Sequence, residues 1–380
     1  MKVLFIALEL YNPRYLGGMQ RFNQRVVRAL LELRGDVVQA ERTIALWDTP
    51  EDISRAPAGA PHYAGQRRKL RTALRFLREL HTFRPDVVLY GHVLLAPLSV
   101  AARVTCPKVV NILFAHGVEV WGEPFRRIPP WERFAVRVGC QRVVTVSCLT
   151  AQRMERVYRI GSQRYRILPN AVDLNNQTVC TSSRPDIRHP ILLTVARLAQ
   201  NDRGKGIDKV LQALPAVLNR FPSVQYVIAG DGPLKDELAA LAERLGIQEH
   251  VHFLGRVRDE RLAELYSAAS AFVMPSSQEG FGIVYLEAWA HRVPVIAGRH
   301  DAGVEVVTHG LNGLTVDPDS PGELAEAITW LLAHPAEARA MGQAGYETVK
   351  RHYTHERFRA RLAEILHEIL QESLRAVPPF

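Results

Sequence analysis

Cysteine is scarce in this chain. Its 380 residues include only Cys106, Cys140, Cys148 and Cys180, with no C-x-x-C pair and no metal-like spacing. That argues against a disulfide framework or a thiolate zinc site and fits reduced thiols in a cytosolic protein. Long hydrophobic runs are missing too. The longest apolar stretches, around Val195-Ala196 and over 294–298, are strand-sized, far short of the ~20 residues a spanning helix needs. The opening Met1-Lys2-Val3-Leu4-Phe5-Ile6 runs into a polar loop with no cleavage-site pattern, so it reads as a first strand and not a signal peptide. Without a secretory signal, Asn176-Gln177-Thr178 reads as a chance glycosylation pattern. There is no zinc-finger spacing and no aromatic RNP-type motif, which argues against a nucleic-acid partner. The absence of Gly-x-Gly-x-x-Gly disfavours a nicotinamide dehydrogenase. No solenoid-type repeat is present.

The rest of the composition is ordinary for a soluble globular protein, with 47% hydrophobic and 23% charged residues. A chain of this length exceeds one hydrophobic core, so two domains are expected. The net charge of +9 is unevenly spread. Residues 1–180 carry 27 Lys and Arg against 14 Asp and Glu, and the remainder 21 against 25. A basic first half suits an anionic substrate or an anionic membrane surface.

Short, apolar, β-branched-rich runs at 3–8, 86–90, 109–114 and 142–146 read as buried parallel strands, with a helix over 20–33. The pattern restarts with strands at 191–195, 225–229, 252–254, 271–274 and 294–297. Helical stretches at 209–220, 234–245, 259–267 and 284–291 lie between them. Such alternation predicts an α/β protein with two Rossmann-like, doubly wound parallel sheets and a cleft between the domains. The aperiodic, Ser- and Pro-bearing segment 174–190 reads as a linker between domains 1–173 and 191–354. Residues 355–374 form an amphipathic helix with Phe358, Leu362, Ile365 and Ile369 on one stripe.

Ligands of such sheets bind beyond the C-terminal strand ends, so chemistry is sought there. Glu279-Gly-Phe-Gly-Ile-Val-Tyr-Leu-Glu287 follows the strand ending at Met274-Pro275-Ser276 and opens a helix. Gly280 and Gly282 let backbone approach a ligand and leave N–H groups at a helix N-terminus. A carboxylate accepts bidentately from a vicinal diol of a sugar. Two glutamates alone would more often be a capping acid and a solvated face; the Gly-x-Gly between them favours ligand contact. Arg197, Arg203 and Lys205 cluster in a loop after another strand, as a pyrophosphate requires. They would stabilise negative charge growing on a departing diphosphate. His116-Gly117 ends a third strand, where a lone His is more often structural than a ligand contact. Gly17-Gly18, after the first strand, could approach a phosphate or form a plain turn. Asp317-Pro318-Asp319 is a literal D-x-D that reads as a surface turn and helix cap rather than a metal site. The segment 66–78 is a basic amphipathic helix whose Leu70, Leu74 and Leu77 either meet anionic lipid or pack inward.

These residues resemble glycosyltransferase family 4, the retaining group-1 transferases with the GT-B fold. The E-x7-E segment is its best marker. Pro169-Asn-Ala-Val-Asp173, Gly230-Asp-Gly-Pro233, Phe253-Leu-Gly255, Met274-Pro-Ser276 and Asn312-Gly-Leu314 follow in the family's order. The resemblance implies transfer of a hexose-type sugar from a nucleotide diphosphate sugar, such as a UDP-, GDP- or ADP-sugar, to a hydroxyl acceptor, with lipid-linked acceptors among the candidates. It implies retention of anomeric configuration and no metal. Arg197 and Lys205 would hold the diphosphate. Glu279, Gly280 and the Phe281-Gly282-Ile283 backbone would hold the sugar, and Glu287 the ribose. His116 would sit by the reaction centre, Gly17 and Gly18 by the phosphate and acceptor, and Arg256 and Val257 near the base. The C-terminal helix would cross back to the first domain, and the enzyme would work in the cytoplasm, peripherally on the inner membrane face if the basic half meets lipid. Three departures stand out: a longer Arg197–Lys205 loop in which Arg203 could share the phosphate, Arg292 in place of a common Gly, and His300-Asp301-Ala302-Gly303-Val304 in place of a glycine-rich turn. Same-fold alternatives are a sugar-nucleotide epimerase or hydrolase, or a non-catalytic binding subunit.

Overall fold

A computed structural model describes residues 1–13, 17–60, 62–121, 127–174 and 189–375. Most of the segment read as a linker, with Asn176-Gln177-Thr178 and Cys180, lies outside the described residues. The chain forms two compact units: residues 1–170 with the segment from His355 onward, and Ala171–Thr354.

The first unit holds β1 (Lys2–Ala7), β2 (Ala40–Ala45), β3 (His62–Ala64), β4 (Val87–Tyr90), β5 (Val110–Ala115), β6 (Arg142–Thr145) and β7 (Tyr165–Ile167). They form one parallel sheet in the order β3-β2-β1-β4-β5-β6-β7. Its helices are α1 (Gly18–Glu32), α2 (Pro50–Ile53), α3 (Lys69–Thr82), α4 (Ala96–Thr105), α5 (Pro130–Gly139) and α6 (Cys148–Tyr158). Val3 to Ala7 are fully buried, as a strand covered on both faces should be. On α1 the helical period collects Phe22, Val26, Ala29 and Leu30 on the buried face.

The second unit holds β8 (Ile191–Val195), β9 (Gln225–Ala229), β10 (Val251–Gly255), β11 (Ala271–Met274), β12 (Val295–Gly298) and β13 (Gly313–Val316). This sheet is also parallel, in the order β10-β9-β8-β11-β12-β13. Its helices are α7 (Ile207–Arg220), α8 (Lys235–Arg244), α9 (Asp259–Ala268), α10 (Ile283–Ala290), α11 (Pro321–Ala333) and α12 (Pro335–His352). Leu192, Leu211, Tyr226, Val273 and Ile296 belong to its core. In each unit the strand order reverses once, at β1/β4 and at β8/β11. Those switch points open a crevice at the C-terminal strand ends.

The last helix, α13 (His355–Arg375), belongs to the first unit and packs on α1. Phe358 meets Phe22 edge-on at 5.3 Å between ring centroids, and His355 Nε2 lies 2.8 Å from Glu32. Phe358, Leu362, Ile365 and Ile369 are all buried.

One sequence alternative, inward packing of the leucines over 66–78, holds for one of them and is corrected for two. Over 66–78 the helix begins only at Lys69, and Gln66 and Arg67 form a left-handed turn at φ 53° and 61°. Of the three leucines, Leu77 packs against the core, whereas Leu70 and Leu74 do not pack inward; they are 75% and 59% exposed. The buried stripe is Thr72, Phe76, Glu79 and Leu80. Four residues make just over one turn, so anchoring Phe76 and Leu80 inward swings Leu70 and Leu74 to the far side.

Candidate active site

The loop leaving β8 is clamped before it reaches its cations. Ala196 N–H donates to the Ala229 carbonyl (3.1 Å) and Leu198 N–H to that of Asp231 (3.0 Å). Gly230 and Gly232, at φ 154° and 150°, lie so close to the Ala196 and Leu198 carbonyls that neither has room for a Cβ. The Gly-Asp-Gly-Pro motif is thus a backbone buttress for Arg197, the residue between the clamps. The Arg197 side chain is 68% exposed, with its guanidinium 3.3 Å from Asp202.

Further along, Gln200–Lys205 forms a 3-10 turn closed by Gly206 at φ 76°. Ser276 Oγ and Ser277 N–H both donate to the Gly204 carbonyl (3.0 and 2.8 Å), tying this turn to the end of β11. As a result the Lys205 ammonium pairs with the Glu279 carboxylate across the β8/β11 switch point. Both side chains are largely shielded, at 21% and 11% exposure. Arg203 is not part of this pair: it forks onto Glu237 in the first turn of α8, at 2.5 and 2.6 Å, and onto Gln200.

Asp301, fully buried, accepts from Glu279 N–H and Gly303 N–H, each at 2.8 Å. Burial, and then the charge of Glu279, push its carboxyl up to about 7. Phe281 is buried edge-on against Tyr353 at 5.6 Å, so it can offer a ligand only its backbone. Gly282, at φ 87°, N-caps α10 without a side-chain cap, so the helix's positive end carries no protein acceptor from its own cap. Ile283 is the first residue of α10 and Glu287 the fifth, where it accepts from the Tyr266 hydroxyl at 3.0 Å. Arg256 and Val257 follow the edge strand β10. That strand lies two places out from β8 in the sheet.

In the first unit, Gly17 N-caps α1 and Gly18 begins it, again with no side-chain cap and no acid in the first turn. His116 directly follows β5, edge-on to Phe22 at 4.9 Å, with Nε2 3.1 Å from the Gly91 carbonyl. Burial pushes its imidazole down to about 4, against the partial support of that carbonyl. The ring is therefore neutral at neutral pH. A carbonyl can only accept, so Nε2 carries the proton and Nδ1 is the acceptor nitrogen.

Asp317 and Asp319 form a turn in which Asp319 N–H donates to Asp317, and Ser320 caps α11. Among the described residues no group of three or more His, Cys, Asp or Glu could hold a metal. The sequence reading did not single out Tyr266, which lies on α9 outside any motif. It flagged the turn around Asp301 without giving that residue a role.

The pattern described as "Glycosyl transferases group 1" matches residues 182–348, and "Glycosyltransferase Family 4" matches residues 16–176. A GDP-mannose-dependent monoacylated alpha-(1-6)-phosphatidylinositol monomannoside mannosyltransferase of Corynebacterium glutamicum is 33% identical over 293 residues, 71% of this chain and 74% of that protein. The corresponding GDP-mannose-dependent alpha-(1-6)-phosphatidylinositol monomannoside mannosyltransferase of Mycobacterium tuberculosis is 33% identical over 242 residues, 60% of this chain and 62% of that one. The solved sucrose-phosphate synthase of Thermosynechococcus elongatus shares the fold with a TM-score of 0.78 at 20% identity, covering 98% of this chain and all of that one. The chain belongs to the group 1, family 4 glycosyltransferases and has their GT-B fold.

Proposed function

We propose that the chain transfers a hexosyl group, with retention, from a nucleotide diphosphate sugar to a hydroxyl of a lipid-linked acceptor. The observation that carries this reading is the Lys205–Glu279 ion pair at the switch point of the second unit, between Arg197 and the open N-terminus of α10. A bound diphosphate competes for Lys205 and Arg197. Its arrival frees Glu279 to accept from sugar hydroxyls, while the α10 amides and dipole favour the oxygens. As the glycosidic bond breaks, the same cations hold the charge developing on the diphosphate. Glu287, steadied by Tyr266, accepts from the ribose diol. His116 offers Nδ1 to a hydroxyl, and Gly17 and Gly18 offer amides at the start of α1. None of these roles asks for a metal.

The relatives named for GDP-mannose and phosphatidylinositol mannosides favour GDP-mannose as first donor to try and a glycolipid as first acceptor. GDP should raise the melting temperature without added metal, and more than UDP or ADP does. Lys205→Ala and Glu287→Ala should each abolish that rise and the transfer of labelled mannose to lipid. Unchanged turnover in both variants would refute the mechanism. Label released as free sugar, whether or not acceptor is present, would mark a hydrolase.

A further inference from the structure

Lys205 and Glu279 come from two separate segments of the second unit, and one buried residue reaches both. Asp301 caps the short turn after β12, is fully buried, and accepts from the Glu279 N–H at 2.8 Å. The same carboxyl hydrogen-bonds the Ser276 hydroxyl, which donates to the Gly204 carbonyl at 3.0 Å. Gly204 directly precedes Lys205. A hydroxyl has one hydrogen, and this one is committed to Gly204, so Ser276 can only accept from Asp301. The chain Asp301–Ser276–Gly204 is thus complete when Asp301 carries a proton. An ionised Asp301 would have to draw the Ser276 hydrogen away from Gly204. The other polar neighbours keep their charge. Tyr285 on α10 is held protonated by burial and donates to the Met274 carbonyl. Arg299 and His300, just ahead of Asp301, turn to Glu323 and Asp317.

We infer that Asp301 is a positioning residue that ties the Lys205 turn to the Glu279 loop, and that the donor binds with uptake of a proton by the Asp301 carboxyl. The inference rests on the reading of Lys205 and Glu279 as the donor's ligands. Without donor, Lys205 neutralises Glu279. A diphosphate that draws Lys205 away leaves Asp301 facing an unmatched Glu279 charge and adds negative charge of its own. Both disfavour the ionised carboxyl, so binding recruits a proton. By reciprocity, a protonated Asp301 favours the donor, because it keeps Ser276 on Gly204 and the Lys205 turn in place. Burial and Glu279 already hold this carboxyl near 7, which brings the linkage into the neutral range. Well below that pH the proton is present with or without donor, and nothing is taken up. Above it the free protein lacks the proton, so donor affinity falls as pH rises.

The test is calorimetric titration of the full chain with GDP-mannose in two buffers of different ionisation enthalpy, which counts the protons taken up. A sugar nucleotide is the right probe because its disubstituted diphosphate has no titrating proton in this range, unlike GDP. Uptake should be about half a proton per donor at about pH 7.5 and close to none at about pH 5.5. The dissociation constant should rise about fivefold from about pH 5.5 to about pH 8. Asp301→Asn offers Ser276 an amide donor in place of the acid's proton. It should show no uptake and bind at about pH 8 as tightly as the wild type does at about pH 5.5. Asp301→Ala, which loses the tie, should bind about tenfold more weakly at both; should it fail to fold, the wild-type and Asn arms still decide. GDP-mannose binding without proton uptake at about pH 7.5, or uptake that survives in Asp301→Asn, would overturn the inference and leave the transferase reading standing. Failure of GDP-mannose, UDP-glucose and ADP-glucose alike to bind would overturn that reading and the inference with it.

Discussion

The backbone N–H of Glu279 donates to the carboxylate of Asp301 at 2.8 Å, so the loop that aims one acid is held by another acid buried behind it. Asp301 titrates near 7 because burial and the Glu279 charge disfavour its ionised form. The folded protein therefore holds this proton more tightly than the unfolded chain, whose Asp titrates near 4. Stability from this group is unpenalised below about pH 4, falls as pH rises towards 7, and carries the whole cost above that. Asp301→Asn removes the charge while keeping one acceptor oxygen for the two amides. Its melting temperature should gain on the wild type between pH 5 and pH 8. A difference between the two that stays constant with pH would show that the carboxyl is not linked to folding.

The Lys205–Glu279 pair is shielded enough for its charges to depend on each other. Removing one partner of a buried pair strands the other, at a cost of about 3 kcal/mol or more; removing both avoids that penalty. Lys205→Met and Glu279→Gln should each melt lower than the wild type, and the double variant should melt above at least one of them. Donor turnover should not recover in the double variant, because both ligand-facing groups are gone. Thermal melts together with a donor assay check both halves. Additive losses in stability would mean that the pair is not coupled.

Continuous apolar runs made β1, β4, β5, β8, β9 and β11 legible in the sequence. β2 was not, because Ala40–Ala45 buries Glu41 and Thr43, with Glu41 neutralised by Arg34 from the end of α1. β3 and β7 are three-residue edge strands with too few residues for any period to register. The E-x7-E spacing placed Glu287 in the early turns of its helix, and α10 does begin at Ile283. What spacing could not reveal was partnership. That Arg203 turns to Glu237, that Tyr266 steadies Glu287 and that Asp301 underlies Glu279 each depend on a contact between residues 21 to 34 positions apart.

Tyr266 offers a test of how finely Glu287 must be placed. Its hydroxyl donates to one oxygen of the carboxylate that is proposed to accept from the ribose diol. Tyr266→Phe keeps the ring beside Phe272 and His291 and deletes only that donor. A hydrogen bond to a charged group is worth about 1.5–3 kcal/mol. The donor KM should therefore rise roughly tenfold, with a smaller change in kcat, because the ribose contact is made in ground state and transition state alike. A drop in kcat at constant KM would place Glu287 at the reacting centre instead.

The terminal helix should decide whether the first unit folds at all. Phe358, Leu362, Ile365, Leu366 and Ile369 are each no more than 3% exposed, and burial of such side chains contributes about 1.5–3 kcal/mol apiece. Together they supply roughly 10 kcal/mol, comparable with the whole stability of an ordinary domain. A chain ending at Thr354 loses all five, together with the Glu32, Arg142 and Arg166 ion pairs. It should lose protection from hydrogen exchange in α1 and β1. The second unit, whose core contains none of these side chains, should keep its protected amides and its thermal response to GDP. Phe358→Ala is the graded version, costing about 3–5 kcal/mol by opening a cavity beside Phe22. If the truncated chain protects α1 as well as the full-length protein does, α13 is an appendage and the energy of the first unit lies elsewhere.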